Sequence, residues 1–588
     1  MDKDFAIPRP LIIILAIFQG ITLTLLYQSV EQQVWPGTDS VWLTALITFA
    51  ISFPLLTYLC VNQGNIKKTL LCVLPFSLLL SLLGAYVGLQ QQPSGFFNNG
   101  LVLFSFAVTS LIASFKALMY FQHFTSQGTE LTQQRELTQI SYSSLFTRSW
   151  RNFIVFAECV LFVGIFWIIL HLGASLFAVL EINIFRELLQ ESWFVIPTLN
   201  LAFGFAIIVF RNITHTADTI ATILQTLIKF LLPALTLVSL GFLATLPFTG
   251  LTALWETGSG SLLVMWLQAL TLFFLNAVYQ NESHQRPYPN WLHRLIYLGV
   301  ALLPIYSVIS AYGLWLRIDQ YGWTVDRCWA FLVWGLLACF CSGYLFGIIK
   351  KRDAWLETLS TVNVRMGLVV LLSVLLVNSP LVNFQRLSAD SQISRLNQNL
   401  VTIEDFDFYY FDRSLGRQGY LAMQALKTEL GDSAPEHVAI IDRMYTERHN
   451  TANPLNIDEF KTIISYWPNQ ASFEEKLDDP DALLEAVYDS ETDSEWKSYR
   501  GNSYYFLTQD LNDDGQVEFI VITEKNHHTS ANLWLKENDE WTSRYMTSFN
   551  PNKENFLKTD LEKNKIEIVK PKWNKLRIGD VEFRVSQD

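Results

Sequence analysis

Eleven predominantly apolar runs crowd the first two-thirds of this sequence, near 10–30, 41–61, 69–89, 100–121, 152–180, 193–211, 222–248, 260–280, 291–316, 326–349 and 361–381. An α-helix advances 1.5 Å per residue, so about 20 residues cross the roughly 30 Å of bilayer hydrocarbon. No water satisfies a bare amide there, which leaves each run little choice but to be a helix. Prolines inside the runs (Pro54, Pro75, Pro197, Pro233, Pro304) are expected as kinks. The run 152–180 is long enough to tilt or to continue along the interface.

The charge changes where the runs stop. Residues 1–381 carry a net charge of +2 and residues 382–588 one of −14, giving −12 for the 588-residue chain. Such a break marks a change of solvent from lipid to water. An acidic tail also argues against a nucleic-acid partner, because phosphate backbones call for a basic face. The expected fold is a membrane all-α bundle of about eleven helices at 1–381, followed by a soluble α+β domain. That domain divides into a mainly helical region, 382–500, and a β-rich region, 501–588, built on an antiparallel sheet. All six cysteines (Cys60, Cys72, Cys159, Cys328, Cys339, Cys341) lie in the apolar half, so the tail must be held by its own core.

Residues 1–9 lack the pattern of a cleaved signal peptide, so the first run is expected to stay as a span. Thirteen lysines and arginines fall at the N-terminus and in alternate loops, against three in the opposite loops (Arg186, Arg317, Arg327). The positive-inside bias puts the N-terminus in the cytoplasm. With an odd number of spans the tail lies outside, in the periplasm of a bacterial inner membrane. Trp35, Trp42, Trp193, Trp255, Tyr321 and Trp323 sit at span ends, as interfacial aromatics do.

Lys116, Glu158 and Arg365 are ionisable residues that lie well inside the expected spans. One reading is a buried cluster that gates or binds an anion, since intramembrane charges are costly and often functional. The other has Lys116 and Arg365 snorkelling to the head groups while Glu158 pairs with one of them. His171, Gln268 and Asn276 are expected to bond between helices. Phe146, Trp150 and Phe153, with Arg148 and Arg151 beside them, suit either an interfacial helix on the inner leaflet or a simple basic flank.

In the tail, helical periodicity covers 385–400, 416–430, 436–448, 457–467 and 481–490. From 503 the period becomes two, through SYYFLTQ, VEFIVIT, ANLWL, WTSRYMTSF, KIEIVK and VEFRV. The stretch NSPLVNFQRLSADSQISRL and the block FDFYYFDRSLGRQGYLAMQAL resemble a family of bacterial multi-pass membrane proteins labelled only as domain of unknown function 4153. The resemblance spans roughly 10–430 and rests on an aromatic-acidic run followed by Leu415, Gly416, Arg417 and Gly419. It implies the topology and a bacterial origin, and no activity. From the residues themselves, Phe406, Phe408, Tyr409, Tyr410 and Phe411 are expected to pack the first tail helices onto the bundle or its rim.

The segment DLNDDGQVE offers Asp510, Asn512, Asp514, Gln516 (through its carbonyl) and Glu518 at alternate positions around Gly515. Calcium takes six to eight oxygens, and this alternation turns oxygens inward. Val521 occupies the position where an EF-hand has glutamate, and the flanking strands resemble integrin-type calcium-loop repeats instead. An ordinary acidic turn is the competing reading. His527 and His528 lack a third ligand at suitable spacing, and no G-x-S-x-G or H-E-x-x-H occurs. The expected function is a non-enzymatic envelope anchor, sensor or interaction protein with a calcium-binding periplasmic domain, facing lipid and a periplasmic or membrane partner. The alternative is a transporter or channel using Lys116, Glu158 and Arg365, and a membrane enzyme is a third class with no visible acid–base pair. A polar cavity reaching the midplane would favour transport; a solid apolar bundle would favour anchoring.

The basic bias yields a direct test. A reporter active only in the periplasm and fused after residue 588 should be active, and a cytoplasmic signal from it would overturn both span parity and orientation.

Overall fold

The computed structural model describes residues 7–93, 100–126, 142–180, 182–251, 254–255, 259–279, 287–351, 355–431, 434–446, 457–462, 464–467, 476–477, 479–492, 503–511, 517–525, 528–537, 540–546, 576–578 and 581–583. Two compact units emerge, Met1–Ile441 and Asp442–Asp588. The expected helical region 382–500 is thus divided between them.

Among the described residues the apolar half has these helices: α1 (Arg9–Glu31), α2 (Ser40–Cys60), α3 (Ile66–Leu89), α4 (Gly100–Ser126), α5 (Tyr142–Val179), α6 (Ile184–Leu188), α7 (Ser192–Asn212), α8 (Thr214–Thr249), α9 (Gly260–Val278), α10 (Asn290–Tyr321), α11 (Val325–Lys351) and α12 (Trp355–Val377). Among the described residues, eleven helices are long and apolar enough to cross a membrane, all of these except the short α6. They coincide with the eleven runs. The segment from Tyr142 is the start of the fifth span and not a separate interfacial helix. α5 therefore has 38 residues, about 57 Å at 1.5 Å per residue.

Two apolar cores organise the bundle. One joins α1, α2, α3, α5 and α7 around Ile12, Leu56, Tyr58, Ile154 and Ile207. The other joins α8 to α12 around Leu272, Val300, Tyr306, Tyr344 and Leu359. Lipid is as apolar as leucine, so burial alone does not fix which face of a helix turns inward; polar bonds help. The Gln19 amide donates to the Ala50 carbonyl (3.0 Å) and accepts from the Tyr58 hydroxyl (2.9 Å). Gln268 donates to the Ser307 hydroxyl at 2.6 Å, and the Tyr306 hydroxyl donates to the Ser239 carbonyl at 2.6 Å.

After α12 the chain forms α13 (Phe384–Asn397), α14 (Phe408–Ser414) and α15 (Gly416–Leu430), which dock on the side of the bundle opposite the N-terminus. Phe406, Phe408 and Phe411 are buried and stack together. The Tyr410 hydroxyl accepts from the Val325 N–H and shares a hydrogen bond with Ser388, both at 2.9 Å. Burial pushes its phenol above the ordinary range. Arg417 donates to the Gln90 and Gln92 carbonyls, and Phe384 meets Trp329 edge to face at 5.1 Å. The Leu415–Gly419 motif is thereby explained. Leu415 is buried, Gly416 has φ +54°, and a Cβ on Gly419 would lie 2.1 Å from the Phe411 carbonyl oxygen.

The second unit contains the end of α16 (Pro435–Thr446), then α17 (Ile457–Thr462), β1 (Ile464–Trp467), α18 (Pro480–Thr492), β2 (Ser503–Gln509), β3 (Glu518–Lys525), β4 (His528–Glu537), β5 (Glu540–Met546), β6 (Leu576–Ile578) and β7 (Val581–Phe583). β1 to β5 form one sheet in that order, and β6–β7 pair separately. One expectation is corrected here. The main sheet is mixed, because β1 runs parallel to β2. Residues 464–467, read as the end of a helix, are a strand. A parallel pair needs a crossover, and α18 lies within it. Phe460, Leu483 and Val487 of the helices pack on Tyr504, Phe506, Val521 and Trp534 of one sheet face. Tyr505, Leu507 and Ile520 form a cluster on the other. The expected strand at KIEIVK lies outside the described residues.

Because a methyl group at position 419 would collide with backbone, Gly419→Ala should lower the stability of the full chain by about 1–3 kcal/mol, the usual range for overpacking. Gly164→Ala, which meets nothing within 4 Å, should leave the melting temperature unchanged. Equal melting of the two variants would remove the close-approach argument.

Candidate functional site

A group of polar side chains lines the end of the bundle where α1 begins, here the near side. Their arrangement starts from a helix end. The last turn of α2 leaves carbonyls that no intrahelical amide can reach, and side chains from three other elements supply the donors. Arg211 of α7 donates Nη1 to the Tyr58 carbonyl and, at 3.0 Å, to the Val61 carbonyl. Its Nη2 reaches Asn62 Oδ1, also at 3.0 Å. Gln122 of α4 donates to the Leu59 carbonyl at 2.9 Å. Asn65, just before α3, donates to the Cys60 carbonyl at 3.4 Å. Gln122 and Asn152 of α5 also exchange amide bonds, both 2.9 Å.

Long side chains reaching over a helix end leave space between them. The result is a cavity of about 790 Å³ lined by Arg148, Arg151, Arg211, Asn62, Gln122 and Asn152 among others, with no carboxylate among its described lining residues. Arg148 donates Nη1 to the Gln122 carbonyl at 3.2 Å, in the last turns of α4. Arg151 forms a two-oxygen bridge with Asp218 of α8, both bonds 3.0 Å, with the two side chains 43% and 51% exposed.

A second chamber of about 310 Å³ lies deeper, between α4, α5, α9, α11 and α12. Lys116 lines it with Tyr142, Asn276 and Asn363, and again no carboxylate is among the described lining residues. Phe340 and Gly367 also line it, and both fall near the middle of their helices. Asn363 donates to Asn276 Oδ1 at 2.6 Å, and the Tyr344 hydroxyl lies within bonding reach of both amides. On the far side of this level, Leu80, Leu83, Val102, Phe106 and Val374 pack as an apolar plug between α3, α4 and α12.

Helices α4, α5 and α12, which carry Lys116, Glu158 and Arg365, pack against one another. The side chains take different positions. Lys116 faces the chamber, Glu158 is half-buried beside Cys159, and Arg365 is exposed on α12. Gln268 and Asn276 make the interhelical bonds expected of them, while His171 stacks edge-on against Trp167 at 4.4 Å within its own helix. Two basic residues do more in the fold than their sequence context indicates. Arg211 read as one more basic flank. Lys229 interrupts the seventh run, which was a visible signal; its carbonyl accepts from the Tyr288 hydroxyl at 2.6 Å, and its ammonium lies 5.9 Å from that ring.

Of the candidate calcium ligands, Asn512, Asp514 and Gln516 lie outside the described residues. Asp510 and Glu518 flank the β2–β3 hairpin, whose last registered pair is Gln509 with Glu518. Glu518 Oε2 accepts from the Leu511 N–H at 2.7 Å.

No curated protein and no solved structure matches this chain. A family model does match, over residues 34–426, from the loop before α2 into α15, and so it includes the Lys116 chamber, the arginine cavity apart from Ile7, and the Leu415–Gly419 motif. The chain is a multi-pass membrane protein and belongs to the family described as Domain of unknown function (DUF4153).

Proposed function

We propose that this is a bacterial inner-membrane protein, N-terminus in the cytoplasm and C-terminal unit in the periplasm, whose bundle takes up a small anionic solute in the Lys116 chamber. The observation that carries this is the depth of the chamber. It extends to the middle of α11 and α12, which favours transport over a purely anchoring bundle. An ammonium in low dielectric needs a counter-charge, and a lining free of carboxylates favours one that arrives as ligand. The apolar plug and the docked α13–α15 favour access from the near side. Glu158 and Arg365 lie on helices packed against α4, Glu158 half-buried and Arg365 exposed. The docked helices also suit an anchor that presents its C-terminal unit to a partner, and the two roles are compatible.

The test is anion-dependent current from the full chain in proteoliposomes, using chloride, phosphate and a dicarboxylate as probes. Lys116→Met should abolish it and Lys116→Arg should retain part. If Glu158 instead neutralises Lys116, Glu158→Gln should lower stability by about 3–5 kcal/mol and Lys116→Met should partly rescue it, as for a broken buried pair. No current with any probe, and no coupling between the two substitutions, would leave only the anchor.

Calcium binding at the β2–β3 loop is the second reading, supported by the hairpin register. It holds Asp510 and Glu518 at the two ends of one short acidic loop. Empty, such a loop carries mutual repulsion that a divalent cation removes. The full chain should melt higher in millimolar calcium than in chelator. Asp510→Ala and Asp514→Ala should abolish the difference, and Asp513→Ala should not. An unchanged melting temperature would reduce the loop to an acidic turn.

A further inference from the structure

The near-side arginine cavity is separate from the Lys116 chamber and calls for a different ligand. We infer that it binds a phosphate group, supplied either by the head group of an anionic phospholipid or by a free phosphate. The inference does not rest on the transport reading.

Three guanidiniums converge on one space of about 790 Å³, within the ~300–1,000 Å³ typical of small-ligand sites. Guanidinium is the side-chain group whose planar fork matches a phosphate's oxygens in pairs, and it is weakly hydrated enough to give up water for them. The amides of Asn62, Gln122 and Asn152 line the space beside the cations and add no negative charge. All three cations have partners in the fold, and Arg148 bonds the Ser144 hydroxyl and the Gln122 carbonyl. Arg211 spends three bonds on the end of α2 and its following turn, yet its Nε–H and second Nη2–H make none of these. Among the described residues, Arg151 is held by the half-exposed Asp218, which lies outside the cavity lining. An exposed pair of this kind is weak, so a phosphate competes with the carboxylate for the same fork.

Depth selects a head group as the principal source. The cavity lies at the near-side ends of α2, α4 and α7, and α5 is far longer than a span requires. Its first turns, with Arg148 and Arg151, therefore sit at the level of the polar interface. Phe153, 56% exposed on the same helix, is placed to enter the acyl boundary. Basic pockets between membrane helices on the inner side commonly hold anionic head groups.

The experiment uses the full chain in nanodiscs and reads the melting temperature. One arm adds phosphatidylglycerol to a phosphatidylcholine disc; the other adds inorganic phosphate to a pure phosphatidylcholine disc. Stabilisation in the first arm alone identifies the lipid, and in the second identifies free phosphate. Affinity for the effective probe should fall about tenfold in Arg151→Gln, the loss of one charge-assisted bond pair, and should weaken with salt. Asp218→Asn gives the discriminating result. If Arg151 serves only the α5–α8 contact, losing its partner weakens the fold and leaves the probe response unchanged. If the cavity takes phosphate, removing the competing carboxylate tightens binding severalfold. Stabilisation in neither arm, or an undiminished response in Arg151→Gln, overturns the inference.

Discussion

Four successive carbonyls at the end of α2, from Tyr58 to Val61, set the geometry of the near side. These residues are buried, and a buried carbonyl left bare costs about 1–3 kcal/mol. Arg211, Gln122 and Asn65 satisfy them from α7, α4 and the start of α3. These elements are thereby drawn to one point regardless of how their apolar faces pack. A cation at a helix C-terminus also answers the negative end of the helix dipole. The arginine cavity follows from this solution, because donors that arch over a helix end keep the surrounding helices apart.

That origin explains what could be read from the chain and what could not. Hydropathy located all eleven spans, since lipid imposes both length and composition. It said little about facing, because apolar residues cover these helices on every side. Arg211 and Arg9 look alike in the sequence, each a basic residue beside a run. Only the α2 terminus above Arg211 makes it structural. Likewise Lys116 and Arg365 read as equals, and tertiary packing turns one into a chamber and leaves the other exposed. Asn276 and Gln268 were legible for a simpler reason: an amide in lipid must find a partner.

The tail shows the same division between local and non-local information. Strands β2 to β5 alternate with period two and close through short turns, so their pattern declares itself. β1 is four residues that follow a helix, and its place depends on pairing with β2 across a crossover holding α18. Nothing local encodes that. The Leu415–Gly419 motif was visible as a motif, but its reason is spatial. Gly419 yields room to the Phe411 carbonyl, and Arg417 reaches the loop after α3, more than three hundred residues earlier in the chain.

The Lys116 level is bounded differently on its two sides. On the near side, polar side chains hold helix ends apart and leave two cavities. On the far side, an apolar plug is covered by helices whose hydrogen bonds go to the loops at Gln90, Gln92, Trp323 and Val325. Opening the far side would break the plug's packing and the rim's hydrogen bonds together. Access from the near side breaks neither. On the proposed transport reading, a route past the Lys116 level would have to move α4 and α12 against α3 while α13–α15 release their hold.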